Sequence, residues 1–91
     1  MCKINKPVIN VAATAANIKS YRIRAGYSVR EIQSIFNFTS PEAVYAWERA
    51  KNLPTIDNLI VLAALYGISV EDIVATDYVE FDCDISEVKS A

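Results

Sequence analysis

The chain has 91 residues, a formal charge of −2 at pH 7 and no histidine. A chain of this length forms one domain, and 53% of its residues are hydrophobic, which is enough for a core. The charge excludes the strongly basic proteins whose nucleic-acid partner follows from composition alone, and the missing histidines remove the commonest catalytic base and zinc ligand. The acidic excess lies in residues 77–91, whereas residues 12–76 hold six basic and six acidic side chains. A neutral body of this kind can still present one basic face.

Cys2 and Cys83 lie far apart in the sequence and lack the spacing of metal ligands. We interpret them as free thiols of a reducing compartment, and no apolar run reaches membrane-spanning length. The sequence therefore predicts a cytoplasmic protein with no cofactor, no metal, no membrane contact and no evident small-molecule ligand.

The first helix is predicted at about residues 15–25. Thr14 can cap its start, Ile18 and Tyr21 recur at helical spacing, and Gly26 can supply the left-handed residue that ends it. Residues 1–13 are interpreted as an N-terminal arm.

Helix two is predicted at about residues 29–36. Ser28 and Glu31 have the spacing of a capping box, in which each side chain satisfies the other residue's backbone N–H. The helix should end before Asn37, because asparagine tolerates the left-handed conformation. Its apolar stripe consists of Val29, Ile32 and Phe36.

Helix three follows after a turn of three residues, 37–39. Ser40 can cap it, with Pro41 at the first helical position, where a missing N–H costs nothing. Val44 and Trp47 are three residues apart and are expected to point inward.

Helices four and five are also bounded by local signals. Thr55 can cap helix four and Gly67 can end it, and Ser69 with Asp72 has the spacing of a second box at the start of helix five. The inward residues are predicted to be Leu59, Leu62, Ala63 and Tyr66 on helix four, and Val70, Ile73 and Val74 on helix five.

The hydrophobic period changes after residue 76. Val79, Phe81, Cys83 and Ile85 alternate with Glu80, Asp82 and Asp84, which is the spacing of a strand. We therefore predict an all-α fold of five helices with a short C-terminal β-strand or extended tail. It divides into an arm at 1–13, a helical domain at 14–76 and an acidic strand or tail at 77–91.

Helix two, the turn and helix three form the pattern of a helix-turn-helix, whose second helix enters the major groove of DNA. Residues 17–74 resemble the Cro/repressor-type helix-turn-helix family, also called the XRE family. The resemblance rests on the segments NIKSYRIRAGYSVREIQ, SPEAVYAWE, WERAKNLP and TIDNLIVLAALYGISVEDI. It implies a five-helix, repressor-like domain that binds operator DNA, usually as a dimer.

The resemblance makes helix three the base-reading element. The candidate contacts are Ser40, Pro41, Glu42, Ala43, Tyr45 and Ala46. Family members usually have Gln in place of Glu42, Lys in place of Ala46 and Gly in place of Ala50. A Gln amide reads adenine, whereas a carboxylate only accepts, and cytosine N4 is its natural donor in the major groove. Glu42 therefore predicts a changed base preference, or else it only stabilises the first turn through the helix dipole.

Without that Lys, affinity is expected to rest on contacts to phosphates. The candidates are Lys19, Arg22, Arg30, Arg49, Lys51 and Asn52. The alternative is a solvated face without a ligand, with Arg49 paired to Glu48 or to another neighbour. Tyr45 either contacts DNA or is an aromatic at the edge of the core. Gln33 is expected to brace helix three rather than touch DNA.

Residues 59–65, LIVLAAL, are apolar on all sides, although one helical face needs only about half of them. Either the terminal strand folds back over helix four, or a second subunit covers both. The candidate dimer interface consists of Ile60, Val61, Ala64, Leu65, Val79, Phe81 and Ile85.

The predicted function is sequence-specific DNA binding by a transcriptional regulator, acting as a repressor and as a homodimer on an inverted-repeat operator in double-stranded DNA. The alternative is a protein–protein interaction module on the same fold, such as an antitoxin or adaptor, which would expose apolar residues around helix three. An enzyme ranks third, because the sequence offers no nucleophile–base pair or ligand cluster.

Overall fold

The structure, a computed structural model, describes residues 2–83. Its elements in chain order are β1 (Cys2–Ile9), α1 (Val11–Ala25), α2 (Val29–Ile35), α3 (Glu42–Glu48), α4 (Ile56–Tyr66), α5 (Val70–Ile73) and β2 (Thr76–Cys83). The prediction of five helices followed by a strand is confirmed. An all-α class is not strictly correct, because β2 pairs with β1 in a small antiparallel sheet. Ile85 lies outside the described residues.

The start of α1 differs from the prediction. Asn10 is its N-cap, and its side-chain oxygen accepts a hydrogen bond from the Ala13 N–H at 2.9 Å. The prediction that Thr14 caps this helix is wrong, since Thr14 is buried within it. The Thr14 hydroxyl accepts a hydrogen bond from the Ala75 N–H at 3.0 Å and so fastens α1 to the segment after α5. The residues predicted as an N-terminal arm contain β1 and the first residues of α1.

Most other helix ends follow their local signals. The confirmed signals are the capping boxes Ser28–Glu31 and Ser69–Asp72, the Thr55 N-cap of α4, and the left-handed Gly26 and Gly67 that end α1 and α4. In the first box, the Ser28 backbone N–H donates to the Glu31 carboxylate, which lowers the pKa of Glu31 below its usual value. Asn37 is left-handed, with a φ of 57°, as its residue type predicts.

The start of α3 departs from the prediction by one residue. The helix begins at Glu42, so Pro41 occupies the N-cap position, and no side chain caps the helix. The Ser40 hydroxyl only accepts a long hydrogen bond of 3.4 Å from the Glu42 N–H. The prediction of Ser40 as a cap with Pro41 as the first helical residue is therefore wrong in register.

One core joins all five helices. Its buried apolar residues are Ile18, Ile32, Val44, Trp47, Leu62, Ala63, Tyr66 and Ile73. Trp47 meets the rings of Phe36 and Phe38 edge-on, with centroids 5.5 and 5.8 Å away. These contacts join α3 to α2 and to the turn between them. Burial raises the pKa of the Tyr66 hydroxyl, which has no hydrogen-bond partner among the described residues.

The two strands form a separate feature, which we call the ribbon (Cys2–Ile9 with Thr76–Cys83). The strands are antiparallel and in register from Cys2 opposite Cys83 to Ile9 opposite Thr76. Lys3 and Glu80 form an ion pair of 3.4 Å across the ribbon. The molecule measures 51 × 23 × 21 Å, and an extended strand of eight residues spans about 27 Å. The sequence predicts β2 but not its pairing with β1.

The backbone of Ala50 predicts that glycine stabilises this position. Ala50 has a φ of 62°, a conformation that costs an L-residue about 1–2 kcal/mol, and glycine's extra entropy in the unfolded chain offsets only part of that cost. Ala50→Gly should raise the free energy of unfolding by about 0.5–1 kcal/mol, measured by urea denaturation. The control is Ala46→Gly inside α3, which should lower it by about 1 kcal/mol. Equal losses in both variants would show that Ala50 is not strained.

Candidate nucleic-acid interface

The turn before α3 is held by hydrogen bonds of its own. The Phe38 N–H donates to the Gln33 carbonyl at 3.0 Å, and the Gln33 side-chain amide donates back to the Phe38 carbonyl at 3.3 Å. Gln33 therefore braces the turn that leads into α3. Together with the left-handed Asn37, these bonds set the direction in which α3 leaves α2.

The buried residues of α3 determine which of its other side chains face solvent. Val44 and Trp47 are buried, with 1% and 4% of their surface exposed. At about 100° of rotation per residue, Glu42, Tyr45 and Arg49 fall on the opposite side, and all three are exposed. The structure therefore brings these three side chains to one face.

The other predicted base-reading residues are less exposed to solvent. Ser40, Pro41 and Ala46 are partly exposed. Ala43 packs against the core, since it lies beside the inward pair on the helical rotation, and we remove it from the candidate contacts.

A buried ion pair anchors the C-terminal end of α3 to α1. Arg22 Nε donates to Glu48 Oε2 at 2.7 Å and Arg22 Nη2 donates to Glu48 Oε1 at 3.1 Å. Only 11% and 6% of the two side chains are exposed. The third guanidinium nitrogen donates to the Tyr27 carbonyl at 2.9 Å, so all three nitrogens of the guanidinium donate hydrogen bonds. The hydrogen bonds to Glu48 raise the pKa of Arg22.

This pair corrects two predictions. Arg22 was a candidate phosphate contact, but its charge is buried and neutralised by Glu48, so we remove it from that set. The alternative pairing of Arg49 with Glu48 is wrong, because Glu48 binds Arg22. The Arg49 guanidinium instead lies over the Tyr45 ring, 5.0 Å from its centroid. One feature of the sequence indicates that Arg22 is buried. It follows the buried Ile18 by four residues and therefore lies on the same side of α1.

The remaining predicted phosphate contacts are exposed. They are Lys19, Arg30, Arg49, Lys51 and Asn52. Within residues 3–82 none of these cations forms an ion pair, since the pairs found there are Lys3–Glu80 and Arg22–Glu48. Arg49, Lys51 and Asn52 follow directly on the C-terminal end of α3, whereas Arg30 lies in the first turn of α2 and Lys19 on α1.

Glu42 is exposed in the first turn of α3, and its carboxylate accepts no hydrogen bond from the described residues. The helix dipole favours a negative charge at this position. A carboxylate with unused acceptors is also available to a donor outside the chain. The two interpretations of Glu42 therefore both remain.

Two negative findings apply to the described part of the chain. No helix between residues 2 and 83 is long and apolar enough to span a membrane. That part of the chain also holds no cluster of three residues that would suit a metal ion.

A short helix, set by a braced turn and presenting one free face, defines a helix-turn-helix domain. The family model described as helix-turn-helix (HTH_3) matches residues 18–73. The chain belongs to this XRE-type helix-turn-helix family, as the sequence resemblance predicts. The ribbon lies outside the matched residues.

Known structures share the fold. A crystal structure of the DNA-binding domain of BldD is 21% identical, with a TM-score of 0.60, and the match covers 71% of this chain and 93% of that chain. The S. venezulae BldD DNA-binding domain gives the same identity and TM-score, with 71% and 96% covered. The clp gene regulator ClgR from C. glutamicum is 26% identical, with a TM-score of 0.59 and 68% and 79% covered. The comparison with curated proteins gave no significant match.

The buried ion pair predicts a large loss of stability when one partner is removed. Glu48→Ala should lower the free energy of unfolding by about 3 kcal/mol, because the Arg22 charge is then left without its partner away from water. In a cycle of Arg22→Met, Glu48→Leu and the double variant, the loss in the double variant should be smaller than the sum of the two single losses. Urea denaturation of these three variants and of the unmodified protein measures the coupling.

The matched control for this cycle is Arg24→Met, which removes an exposed Arg on the same helix, stacked 5.1 Å from the Tyr21 ring centroid. It should change stability by at most about 0.5–1 kcal/mol. A loss of that size for Glu48→Ala as well would contradict the anchoring role of the pair.

Proposed function

We propose that this protein is a DNA-binding transcriptional regulator that acts as a repressor and reads its operator with the outward face of α3. The observation that carries the proposal is the set of side chains on that face. Burial of Val44 and Trp47 leaves Glu42, Tyr45 and Arg49 free on one side of a helix whose two ends are held. Membership of the helix-turn-helix family supports the same role, as do the similar structures, which are described as a DNA-binding domain and a gene regulator.

The proposal assigns two kinds of contact. Glu42, Tyr45 and Ala46, with Ser40 and Pro41 at the leading end, face base edges. The phosphate contacts are supplied by Arg49, Lys51 and Asn52 after α3, by Arg30 at the start of α2 and by Lys19 on α1. Phosphate contacts provide affinity and register, whereas the short helix provides the sequence preference.

We propose further that two copies bind an inverted repeat, since one short helix reads only a few base pairs and a two-fold dimer presents two such helices to matched half-sites. Ile60, Val61 and Ala64 of α4 are exposed and remain in the proposed dimer surface. Leu65 packs against the core of its own chain, so we remove it from that surface. We propose that a regulator of this kind acts in the cytoplasm.

A protein–protein interaction module is the second candidate function. It is favoured by exposed apolar side chains on α4, where Ile56 and Ile60 are 75% and 54% exposed. These residues lie away from α3 in sequence, however, and the residues at and directly after the end of α3 are basic and polar. The surface of α4 is therefore better explained as an addition to the DNA-binding role than as a replacement for it.

The phosphate contacts predict a strong salt dependence. If Lys19, Arg30, Arg49 and Lys51 bind phosphates, about eight cations per dimer give a slope of about −7 in a plot of log affinity against log salt concentration. Arg49→Ala and Lys51→Ala should each weaken binding to all duplexes alike and flatten the slope by about 2. Lys3→Ala, which removes one positive charge from the ribbon, is the control and should leave the slope unchanged. A flat plot for the unmodified protein would exclude the DNA-binding role.

Glu42 predicts a base preference that one substitution changes. Glu42→Gln should shift one position of each half-site away from cytosine and toward adenine, because the amide both donates and accepts where the carboxylate only accepts. Selection of binding sites from random duplexes with both proteins measures the shift. An unchanged site would mean that Glu42 acts only on the helix dipole.

A further inference from the structure

The two faces of the ribbon differ in chemistry. Residues directly opposite each other in an antiparallel pair carry their side chains on the same face. The pairs Ile4–Phe81, Lys6–Val79 and Val8–Asp77 therefore share one face, and the pairs Lys3–Asp82, Asn5–Glu80, Pro7–Tyr78 and Ile9–Thr76 share the other. We call the first the apolar face, after Ile4, Val8, Val79 and Phe81.

The apolar face is not covered by the helices. Ile4, Val79 and Phe81 are 37%, 49% and 41% exposed, and only Val8, near the base of the ribbon, is partly buried. No ribbon residue belongs to the core cluster or packs against it in the described part of the chain. A two-stranded ribbon is at best marginally stable alone in water and needs a further layer. The face therefore requires an occupant.

The charges of the ribbon narrow the choice of occupant. Asp77, Glu80 and Asp82 outnumber Lys3 and Lys6, so DNA and anionic membranes would be repelled. The apolar face itself carries one charge of each sign, Lys6 and Asp77. Lys6 has no ion pair within residues 3–82. A surface that carries both signs beside an apolar area can be complementary to itself.

We propose that the apolar face is a homodimer interface, in which the ribbons of two copies pack face to face around a two-fold axis that runs along them. This proposal rests on the dimeric form of the proposed function and names its interface. The axis places β1 of one copy over β2 of the other. Ile4 then lies over the partner subunit's Phe81, and Lys6 lies one residue pair, about 7 Å along the strand, from the partner subunit's Asp77.

The opposite arrangement, with the two ribbons running tip to base, is less favourable. It would place the Ile4–Phe81 pair of one copy over the Val8–Asp77 pair of the other. A carboxylate would then face the most apolar part of the surface. With the two-fold axis along the ribbons, the apolar residue pairs of one copy instead lie over the same apolar pairs of the other copy.

The area of the ribbon supports the same orientation. A face about 27 Å long and about 10 Å wide buries about 300 Å² per copy, short of the roughly 800 Å² per partner of a stable interface. Ribbons with their tips together also bring the two helical domains side by side, where their surfaces can add to the contact. Exposed apolar residues such as Ile60 and Val61 are available for this addition.

The first test compares two aromatic residues on opposite faces of the same strand. Phe81→Ser should weaken the dimer at least about 30-fold in sedimentation equilibrium, as truncation of a large aromatic side chain buried in an interface does. Tyr78→Ser, on the polar face and 70% exposed, should change the dimer constant by less than about threefold. Circular dichroism should show the helical content unchanged in both. Equal effects in the two variants, or a monomeric unmodified protein at high micromolar concentration, would overturn the proposal.

The second test does not depend on the ribbon tolerating Phe81→Ser. Lys6→Glu and Asp77→Lys should each weaken the dimer about 3- to 10-fold, because each places like charges near one another across the axis. Asp77→Lys also removes the hydrogen bond that the Asp77 carboxylate accepts from the Asn10 side-chain amide at 3.1 Å, so circular dichroism must show unchanged helical content here too. The double variant restores opposite signs and should recover most of that loss. Losses that simply add in the double variant would overturn the proposed orientation.

Duplex binding by the same proteins separates this inference from the proposed function. If the unmodified protein binds duplex DNA with a salt-dependent affinity but stays monomeric, the interface is wrong and the regulator role stands. If the dimer depends on Phe81 and on the Lys6–Asp77 exchange but no duplex is bound, the interface stands and the regulator role fails.

Discussion

The burial of Trp47 is the contact on which the presentation of α3 depends. Its indole packs edge-on against Phe36 and Phe38, which come from the end of α2 and from the turn. A seven-residue helix is too short to be stable by itself, so tertiary contacts must hold it. Because Trp47 and Val44 point inward, the helical rotation fixes the direction of every other side chain of α3. Ala43 and Glu48 lie on the flanks of the buried side, and the remaining side chains face solvent. The surface proposed to face DNA is thus a consequence of where one indole is buried.

The Arg22–Glu48 pair adds a second constraint on the same helix. Packing alone leaves a short helix free to roll about its axis by small amounts, whereas a fork with two nitrogen–oxygen distances of 2.7 and 3.1 Å permits little rotation. Since buried ion pairs contribute little net stability compared with apolar residues of the same size, the pair is better understood as setting geometry. It joins α1 to the last residue of α3, while Gln33 braces the turn before the first.

Much of the helical domain could be predicted from sequence because its signals are local. Ser28, Thr55 and Ser69 each satisfy a backbone N–H three residues away, and such bonds form whatever the distant chain does. The sequence predicts Thr14 as the cap of α1, whereas Asn10 caps the helix and Thr14 is buried within it. Which of the two residues caps the helix depends on the contact between Thr14 and Ala75, which are 61 residues apart. No local sequence pattern encodes such a contact.

Long-range pairings account for the other differences. β1 contains Lys3, Lys6 and Pro7, so its hydrophobic alternation is weak, and its partner lies at the other end of the chain. Arg22 and Glu48 are 26 residues apart, and an arginine on a helix is usually solvated. The predicted phosphate set therefore included one arginine that serves the fold. The outward face of α3 followed from the spacing of Val44 and Trp47, which is why Glu42, Tyr45 and Ala46 could be identified from sequence.

The distribution of acids explains how a domain of neutral charge can offer a basic surface. Apart from Glu48, every acid in residues 12–76 lies in the first turn of a helix: Glu31, Glu42, Asp57, Glu71 and Asp72. There the helix dipole and the free N–H groups favour a negative charge, so these acids contribute to the fold. Glu48 is neutralised by Arg22, and the remaining acids of the described chain lie on the ribbon. The exposed cations Arg49 and Lys51 follow the C-terminal end of α3, where the dipole favours positive charge. Since Glu48 is paired with Arg22, the unpaired acidic and basic side chains are separated along α3 itself. One carboxylate lies at the end proposed to face the nucleobases, and two cations lie at the end proposed to meet phosphates.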